Sequence, residues 1–479
     1  MTTTTQLKQA AGKVQPNGNP LVAHRYGADP YALVFADRVY LYMTNDALEY
    51  DENGVVKENS YSSINTITVI SSADLVNWTD HGPIAVAGPE GAAKWATQSW
   101  APAALHTVID GQDKFFLYFA NNASGIGVLS SDSPVGPWVD PIGEALILRS
   151  TPGVEDVTWL FDPAVLVDDD GKGYIYFGGG VPEGQFAEPG TARVMPLGED
   201  MTSVVGTAKV IPAPFMFEDA GIHKWNGVYY YTYCSNFYDG ERPEGSPPAG
   251  EIAYMTSDHP MGPWTYHRTI LKNPGHFFGV SGNNHHAVFQ FHDSWYIAYH
   301  AQTLSKAQGI ANGYRSTHLN RLTHHEDGSI PEIHADYEGV QQLAALNPYD
   351  RIPAATMGWS AGLKTEAGAA GAEQIVTDIA HGGWIGLSGV DFGSGAESFQ
   401  VSVLSLEAGG VLELHLDEPA GPVIGRLTVP AADGSQEWLE LKTAVQGAEG
   451  VHNLYLVFIG ESDKSLFKLA AWQFTAQEH

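Results

Sequence analysis

The sequence predicts an all-β protein, a five-bladed β-propeller followed by a β-sandwich of the jelly-roll type. Three observations support this fold class. A hairpin phrase, in which a polar or aromatic residue precedes an apolar strand, recurs five times before about residue 350. A turn phrase that ends in tryptophan is interleaved with the hairpins. Beyond that point the repeats stop and strands of alternating polarity follow, which is typical of a sandwich.

The clearest copy of the hairpin phrase lies in residues 159–178. Asp162 stands before an apolar run at 164–167, a turn rich in Asp and Gly follows, and a second strand is predicted at 174–177. Two β-rich runs separated by such a turn indicate a β-hairpin. The other copies open at Asp29, Trp100, Glu218 and His285.

The turn phrase occurs in residues 71–78, 130–138 and 256–264. Together with the hairpins it predicts sheets of about four strands that repeat every 55 to 70 residues. Such units, with no helical pattern between them, favour the blades of a propeller. A β-sandwich would also explain paired strands, but it would not explain the fixed position of the opening residue.

The propeller is expected to span residues 17–348, and the sandwich residues 353–479. Strands of the sandwich are predicted at 399–404, 411–416, 423–429 and 454–459 from their alternating polarity. Residues before Pro16 are polar and are predicted to form a loose tail.

The composition limits the partners of the chain. Its formal charge of −31 over 479 residues argues against nucleic acid and anionic membranes, which attract basic surfaces. A single cysteine, Cys234, excludes an intramolecular disulfide. No apolar run is long enough for a membrane helix, and the N-terminus lacks the apolar core of a signal peptide. The sequence therefore predicts a cytoplasmic location, or secretion if a leader segment has been removed.

The opening residues of the five hairpins suggest a catalytic cleft. In a propeller the innermost strands surround the central channel, so Asp29, Asp162 and Glu218 are expected to meet at one mouth. Glycoside hydrolysis needs one protonated and one ionised carboxyl group, and burial beside like charges can keep one of them protonated. The aromatic rings of Trp100, Trp159 and Phe237 suit the apolar face of a sugar. Each acid alone would be interpreted as a turn or capping residue.

The motifs that carry these acids resemble those of glycoside hydrolase family 43. They are Gly27-Ala-Asp29-Pro, Leu160-Phe-Asp162-Pro-Ala and Phe217-Glu218-Asp-Ala-Gly. The further phrases Ser99-Trp-Ala-Pro102, Asn283-Asn-His-His286 and Gly313-Tyr-Arg-Ser316 are similar to the arabinoxylan arabinofuranohydrolase branch of that family. The resemblance covers nearly the whole chain and implies a five-bladed propeller with an inverting mechanism.

The resemblance also implies roles for single residues. Asp29 would be the general base, Glu218 the general acid, and Asp162 the residue that orients Glu218 and raises its pKa. The positions expected to contact sugar are Trp100, Trp159, Phe237, Asn283 and Arg315. For Arg315 a surface salt bridge is the alternative.

Members of the family often hold one calcium ion in the propeller channel, and the resemblance places His285 at that position. Calcium prefers oxygen ligands, so a hydrogen-bonded channel histidine is the alternative interpretation. The run at 168–171 lacks the later ligands of a calcium loop and is interpreted as a solvated turn. No organic cofactor is expected.

The C-terminal segment resembles a family 6 carbohydrate-binding module through residues 383–385, 390–393 and 471–474. Where that module has acids that bind calcium, this chain has Ala354-Ala355-Thr356 and Leu469-Ala470-Ala471. The resemblance therefore implies a module without its calcium site, and a purely structural appendage is the alternative.

The function expected is that of an inverting α-L-arabinofuranosidase acting on arabinoxylan or its oligosaccharides. An exo-acting β-1,4-xylosidase, or an enzyme with both activities, is the nearest alternative. A non-catalytic carbohydrate-binding propeller is the alternative from another class of protein, and the presence of all three acids argues against it.

Overall fold

The computed structural model describes residues 6–368, 373–432, 434, 437–461 and 464–477. These residues divide into two compact units. One comprises residues 26–69 and 83–339, and the other comprises residues 1–25, 70–82 and 340–479 as far as they are described.

The first unit contains the five-bladed propeller except for residues 70–82 of its first sheet, which are grouped with the second unit. The five sheets confirm the predicted fold. The strands of the five sheets, in chain order, are β1 (Ala28–Phe35), β2 (Arg38–Thr44), β3 (Thr66–Ser72) and β4 (Trp78–Ala85); β5 (Trp100–Ile109), β6 (Gln112–Ala120) and β7 (Ile126–Ser131); β8 (Ala164–Val167), β9 (Gly173–Phe177), β10 (Ala192–Pro196) and β11 (Lys209–Ile211); β12 (Met216–Trp225), β13 (Val228–Ser235), β14 (Ile252–Ser257) and β15 (Thr265–Leu271); β16 (His286–Phe291), β17 (Ser294–Ala301) and β18 (Ser316–Leu322).

The first strands of the five sheets form a closed ring. Strand β1 contacts β5, β5 contacts β8, β8 contacts β12, β12 contacts β16, and β16 contacts β1. Apolar clusters fill the spaces between neighbouring sheets and exclude water from their faces. The ring brings the beginnings of the five inner strands together, as the repeat of opening residues predicts.

Not every sheet has the four strands that the repeat predicts. The second and fifth sheets have three strands in the described part of the chain. In the second sheet the place of a fourth strand is reduced to two isolated bridges, Ile126 with Ile147 and Ser130 with Val139. The helices of the described part, α1 (Pro274–Phe278) and α2 (Thr303–Gln308), are short, and no described helix has the length and apolarity needed to span a bilayer.

The second unit contains the β-sandwich. One sheet has the order β22-β23-β30-β25-β28, with β19 beside β30, and the other has the order β21-β24-β29-β26-β27. Their bounds are β19 (Ile352–Pro353), β21 (Trp359–Ala361), β22 (Lys364–Ala367), β23 (Gln374–Thr377), β24 (Trp384–Asp391), β25 (Ala396–Ser405), β26 (Gly410–Leu416), β27 (Val423–Val429), β28 (Trp438–Ala444), β29 (Val451–Ile459) and β30 (Phe467–Ala476). Within the same unit β20 (Thr356–Met357) pairs with Trp78 and Thr79. The inner faces of the two sheets enclose one large apolar cluster.

The prediction of a loose N-terminal tail is wrong for the described residues 6–16. Leu7 and Ala10 pack against a cluster of large side chains that includes Trp384 and Tyr455. The Trp384 indole donates to the Lys8 carbonyl oxygen over 2.8 Å. The segment is held because it covers aromatic surface on the sandwich, and its polar composition concealed the few apolar residues responsible.

Candidate active site

A cleft of about 470 Å³ lies where the inner strands of the propeller begin. It brings together eight of the nine site residues predicted from the sequence, namely Asp29, Trp100, Trp159, Asp162, Glu218, Asn283, His285 and Arg315. These residues lie within a few positions of a strand end, so the closed ring of sheets is sufficient to gather them. The cleft therefore combines three carboxyl groups with aromatic walls.

Phe237 is the predicted site residue that does not line this cleft. Its side chain is 47% exposed and lies edge-on to Phe217, with ring centroids 5.4 Å apart. Phe217 itself lines the cleft, as do Tyr61 and Asn122, which the sequence did not reveal. Tyr61 and Asn122 lie in loops between strands, where the repeat gives no information about the path of the chain.

The structure corrects the alignment of the opening residues. Asp29, Asp162 and Asp219 all have left-handed backbone conformations, with φ values of 49°, 49° and 72°. In β1 and β12 the pairing slips just after Ala28 and Glu218 respectively. Asp219, rather than Glu218, therefore corresponds to Asp29 and Asp162. It is a fully buried carboxyl group that the sequence reading missed, since Glu218 had been given its place.

Asp29 is surrounded by groups that favour its ionised form. Arg315 Nη1 donates to Asp29 Oδ1 over 2.9 Å, and the Thr44 hydroxyl donates to Oδ2 over 2.7 Å. Burial acts to raise the pKa of Asp29, but the Arg315 guanidinium, with His285 and His300 nearby, more than offsets this and holds the pKa well below its usual range. Asp29 is thus an ionised carboxylate in the cleft.

Arg315 is itself fixed by a second carboxylate. Its Nε and Nη2 donate to the two oxygens of Asp46 over 2.8 and 2.9 Å. The guanidinium lies 5.0 Å from the centre of the Tyr61 ring, and Arg315 is 4% exposed. The alternative of a surface salt bridge is therefore wrong, because Arg315 is buried and bridges two buried acids.

Glu218 has the opposite environment. Burial, followed by the charges of Asp162 and Asp29, raises the pKa of Glu218 well above its usual value, although Asn283 acts in the other direction. Its Oε1 is buried and has no hydrogen-bond partner among the residues that the structure describes. A protonated carboxyl group satisfies this position better than an ionised one.

Burial and the charge of Asp29 also raise the pKa of Asp162. Asp162 accepts a hydrogen bond from the Asp219 backbone N–H over 2.9 Å, which stabilises its ionised form. Where the two groups compete for one proton, this fixed donor favours the proton on Glu218.

His285 lies between carboxyl groups. Its Nδ1 is 3.3 Å from Asp29 Oδ1, and its Nε2 is 3.1 Å from Asp219 Oδ1. Burial lowers the pKa of His285 to about 3, so the ring is neutral at neutral pH. Both ring nitrogens face acids, and the described residues hold no group of three or more His, Cys, Asp or Glu side chains arranged for a metal. Neither ring nitrogen is free for a metal in this arrangement, and a calcium ion held by His285 stays a prediction of the resemblance.

Comparisons with known proteins agree with the geometry of the cleft. The description "Glycosyl hydrolases family 43" matches residues 17–330, and "Carbohydrate binding module (family 6)" matches residues 353–476. A protein of Paenibacillus polymyxa named arabinoxylan arabinofuranohydrolase is 54% identical over 97% of this chain and 75% of its own length. A protein of the same name from Bacillus subtilis (strain 168) is 55% identical over 96% of this chain and 92% of its own length.

A solved structure extends the likeness to three dimensions. The crystal structure of a glycoside hydrolase family 43 arabinoxylan arabinofuranohydrolase from Bacillus subtilis, in complex with cellotetraose, aligns with a TM-score of 0.95. It is 54% identical and covers 98% of this chain and 99% of its own.

Proposed function

Because this chain belongs to glycoside hydrolase family 43, we propose that it is an inverting α-L-arabinofuranosidase that removes arabinose side groups from arabinoxylan or its oligosaccharides. The observation that carries the proposal is the pairing of an ionised Asp29 with a buried, protonated Glu218 in one aromatic-walled cleft. The names of the two relatives that match over nearly the whole chain support the choice of sugar.

The two carboxyl groups divide the reaction between them. Glu218 donates its proton to the glycosidic oxygen as the bond from that oxygen to the anomeric carbon breaks. Asp29 removes a proton from the water that attacks the same carbon from the opposite face, so the configuration inverts. Asp29 ends the cycle protonated and Glu218 ionised, and exchange with solvent restores both.

The neighbouring residues set the charge of these two groups. Arg315 keeps Asp29 ionised, and Asp162 keeps the proton on Glu218 through its negative charge. Trp100 and Trp159 line the cleft and supply aromatic surface for the apolar side of a sugar ring.

Product analysis on arabinoxylo-oligosaccharides of defined substitution tests the proposal. We expect arabinose to be the sugar released, with the xylose backbone left intact. Release of xylose without arabinose would overturn it in favour of a β-xylosidase, and binding without hydrolysis would indicate a non-catalytic propeller.

A further inference from the structure

Asp219 is a buried acid that the reaction, as described, does not use. It directly follows Glu218 in β12, but it is not among the residues that line the cleft. The residue is fully buried, and its left-handed backbone conformation is uncommon for a residue with a side chain. A buried carboxyl group in such a conformation persists only where its surroundings hold it.

The surroundings of Asp219 span three blades. Its backbone N–H donates to Asp162 Oδ2 over 2.9 Å. Its Oδ1 accepts a hydrogen bond from the His286 backbone N–H and lies 3.1 Å from His285 Nε2. Its Oδ2 contacts His286 Nδ1, and the other nitrogen of that ring lies 2.7 Å from the Thr232 hydroxyl. Asp219 thus links β12 to the beginning of β16 and to Asp162, which precedes β8. His286 extends this network to Thr232 in β13.

Glu218, in contrast, is held by few side-chain contacts, of which the hydrogen bond with Asn283 is one. Its Oε1 has no hydrogen-bond partner in the described part of the chain, and the strand pairing is irregular on both sides of it. The position of its carboxyl group therefore depends on the backbone that carries it. The side chain of Asp219, the next residue, holds this backbone through its contacts with His285 and His286.

We propose that Asp219 is a positioning residue that holds the general acid Glu218 in line with the leaving oxygen, through its contacts with Asp162, His285 and His286. The inference rests on the proposed function, since it requires Glu218 to be the acid. A general acid must lie within hydrogen-bonding reach of the oxygen that it protonates, and a displacement of about 1 Å can reduce the rate about 100-fold.

The leaving group separates this role from a general structural one. An arabinoxylo-oligosaccharide leaves as a poor alkoxide and needs the proton of Glu218, whereas a dinitrophenolate leaves without one. For Asp219→Asn we expect kcat on the oligosaccharide to fall about 10- to 100-fold, with KM changed by less than about threefold. On a dinitrophenyl arabinofuranoside we expect kcat to fall by less than about threefold, because protonation no longer limits the rate.

Asp46→Asn is the matched control. Asp46 is as deeply buried as Asp219, but it holds Arg315 and through it the base Asp29. Because the base is needed whatever the leaving group, this variant should slow both substrates by a similar factor. Thr232→Val provides a milder second variant, which removes only the hydroxyl partner of His286 and should show the leaving-group difference of Asp219→Asn to a smaller degree.

Equal losses on both substrates in Asp219→Asn and Thr232→Val, or no loss, would overturn the positioning role. Thermal unfolding of each variant shows whether the protein is folded at the assay temperature, and Thr232→Val decides the matter if Asp219→Asn does not fold. Glu218→Gln separates a failure of the acid role of Glu218 from a failure of the positioning role of Asp219. If Glu218→Gln lowers kcat on both substrates by the same factor, Glu218 is not the general acid. If Glu218→Gln shows the leaving-group difference and the Asp219 and Thr232 variants do not, only the present inference fails.

Discussion

The propeller and the sandwich are both built from short antiparallel strands, but they bury different kinds of side chain. The ends of the inner propeller strands enclose Asp29, Asp162, Glu218 and Asp219 with His285, all less than a tenth exposed. The core of the sandwich, in contrast, is a cluster of apolar side chains. Buried charge costs free energy unless it is paired or has a task. The comparison indicates that the hydrolytic chemistry of the chain belongs to the propeller.

The largest effect should follow from removing the acid of the cleft. Glu218→Gln keeps the shape of the side chain but cannot donate its proton to the leaving oxygen. We expect kcat on arabinoxylo-oligosaccharides to fall about 10²- to 10⁴-fold, the usual range for a general acid. Initial rates of arabinose release measure this fall in kcat.

The sandwich offers a control for this substitution. Glu413 is a buried acid there, paired with Arg426 and His415. Glu413→Gln should leave kcat within about twofold, because surface and structural changes away from a site rarely alter its transition state. Equal losses in the two variants would contradict the contrast between the regions.

The second prediction concerns the buried guanidinium that keeps the base ionised. Arg315→Gln removes the main cause of the lowered pKa of Asp29, so Asp29 should protonate at a higher pH. Activity needs Asp29 ionised and Glu218 protonated. The acidic limb of the pH–rate profile should therefore move to higher pH.

The alkaline limb, which reports the raised pKa of Glu218, should move less. The substitution also leaves Asp29 and Asp46 without their cation, at a cost of about 3–5 kcal/mol of unfolding free energy. The profile of kcat/KM and a denaturant titration measure the two effects. An unchanged acidic limb would contradict the assignment of Asp29 as the base.

The third prediction concerns the apolar core of the sandwich. Trp472 is 1% exposed in the sandwich core, and Trp472→Ala should lower the unfolding free energy by about 3–5 kcal/mol. On a dinitrophenyl arabinofuranoside its kcat should be unchanged at temperatures where the protein is folded. Trp438→Ala, at a residue 38% exposed on β28, is the matched control and should cost less than about 1 kcal/mol. A loss of kcat without unfolding would refute a purely structural role for this core.

The smallest effect is expected from removing metal. Both ring nitrogens of His285 face carboxylate oxygens, so a chelator should leave activity and the unfolding temperature unchanged. Calcium in the channel stays a prediction of the family resemblance. A loss of either property on chelation, with recovery on addition of calcium, would support it.

The sequence revealed the fold and most of the cleft for one physical reason. A propeller repeats one unit around an axis, so Asp29 and Asp162 could be located by their position in the repeat. Asp46 could not, because it follows β2 in a loop and reaches Arg315 from far along the chain. Asp219 was missed because an irregularity in strand pairing shifts its neighbours by one residue, and such bulges leave no clear mark in the pattern.

In the proposed reaction Asp29 and Glu218 act on opposite faces of an arabinofuranosyl group. Time-resolved ¹H NMR of the sugar first released from an arabinoxylo-oligosaccharide tests it most directly, because inversion and retention give different anomers. We expect β-arabinofuranose to appear before the anomers equilibrate. Initial appearance of the α-anomer would show retention and contradict the assigned roles of both carboxyl groups.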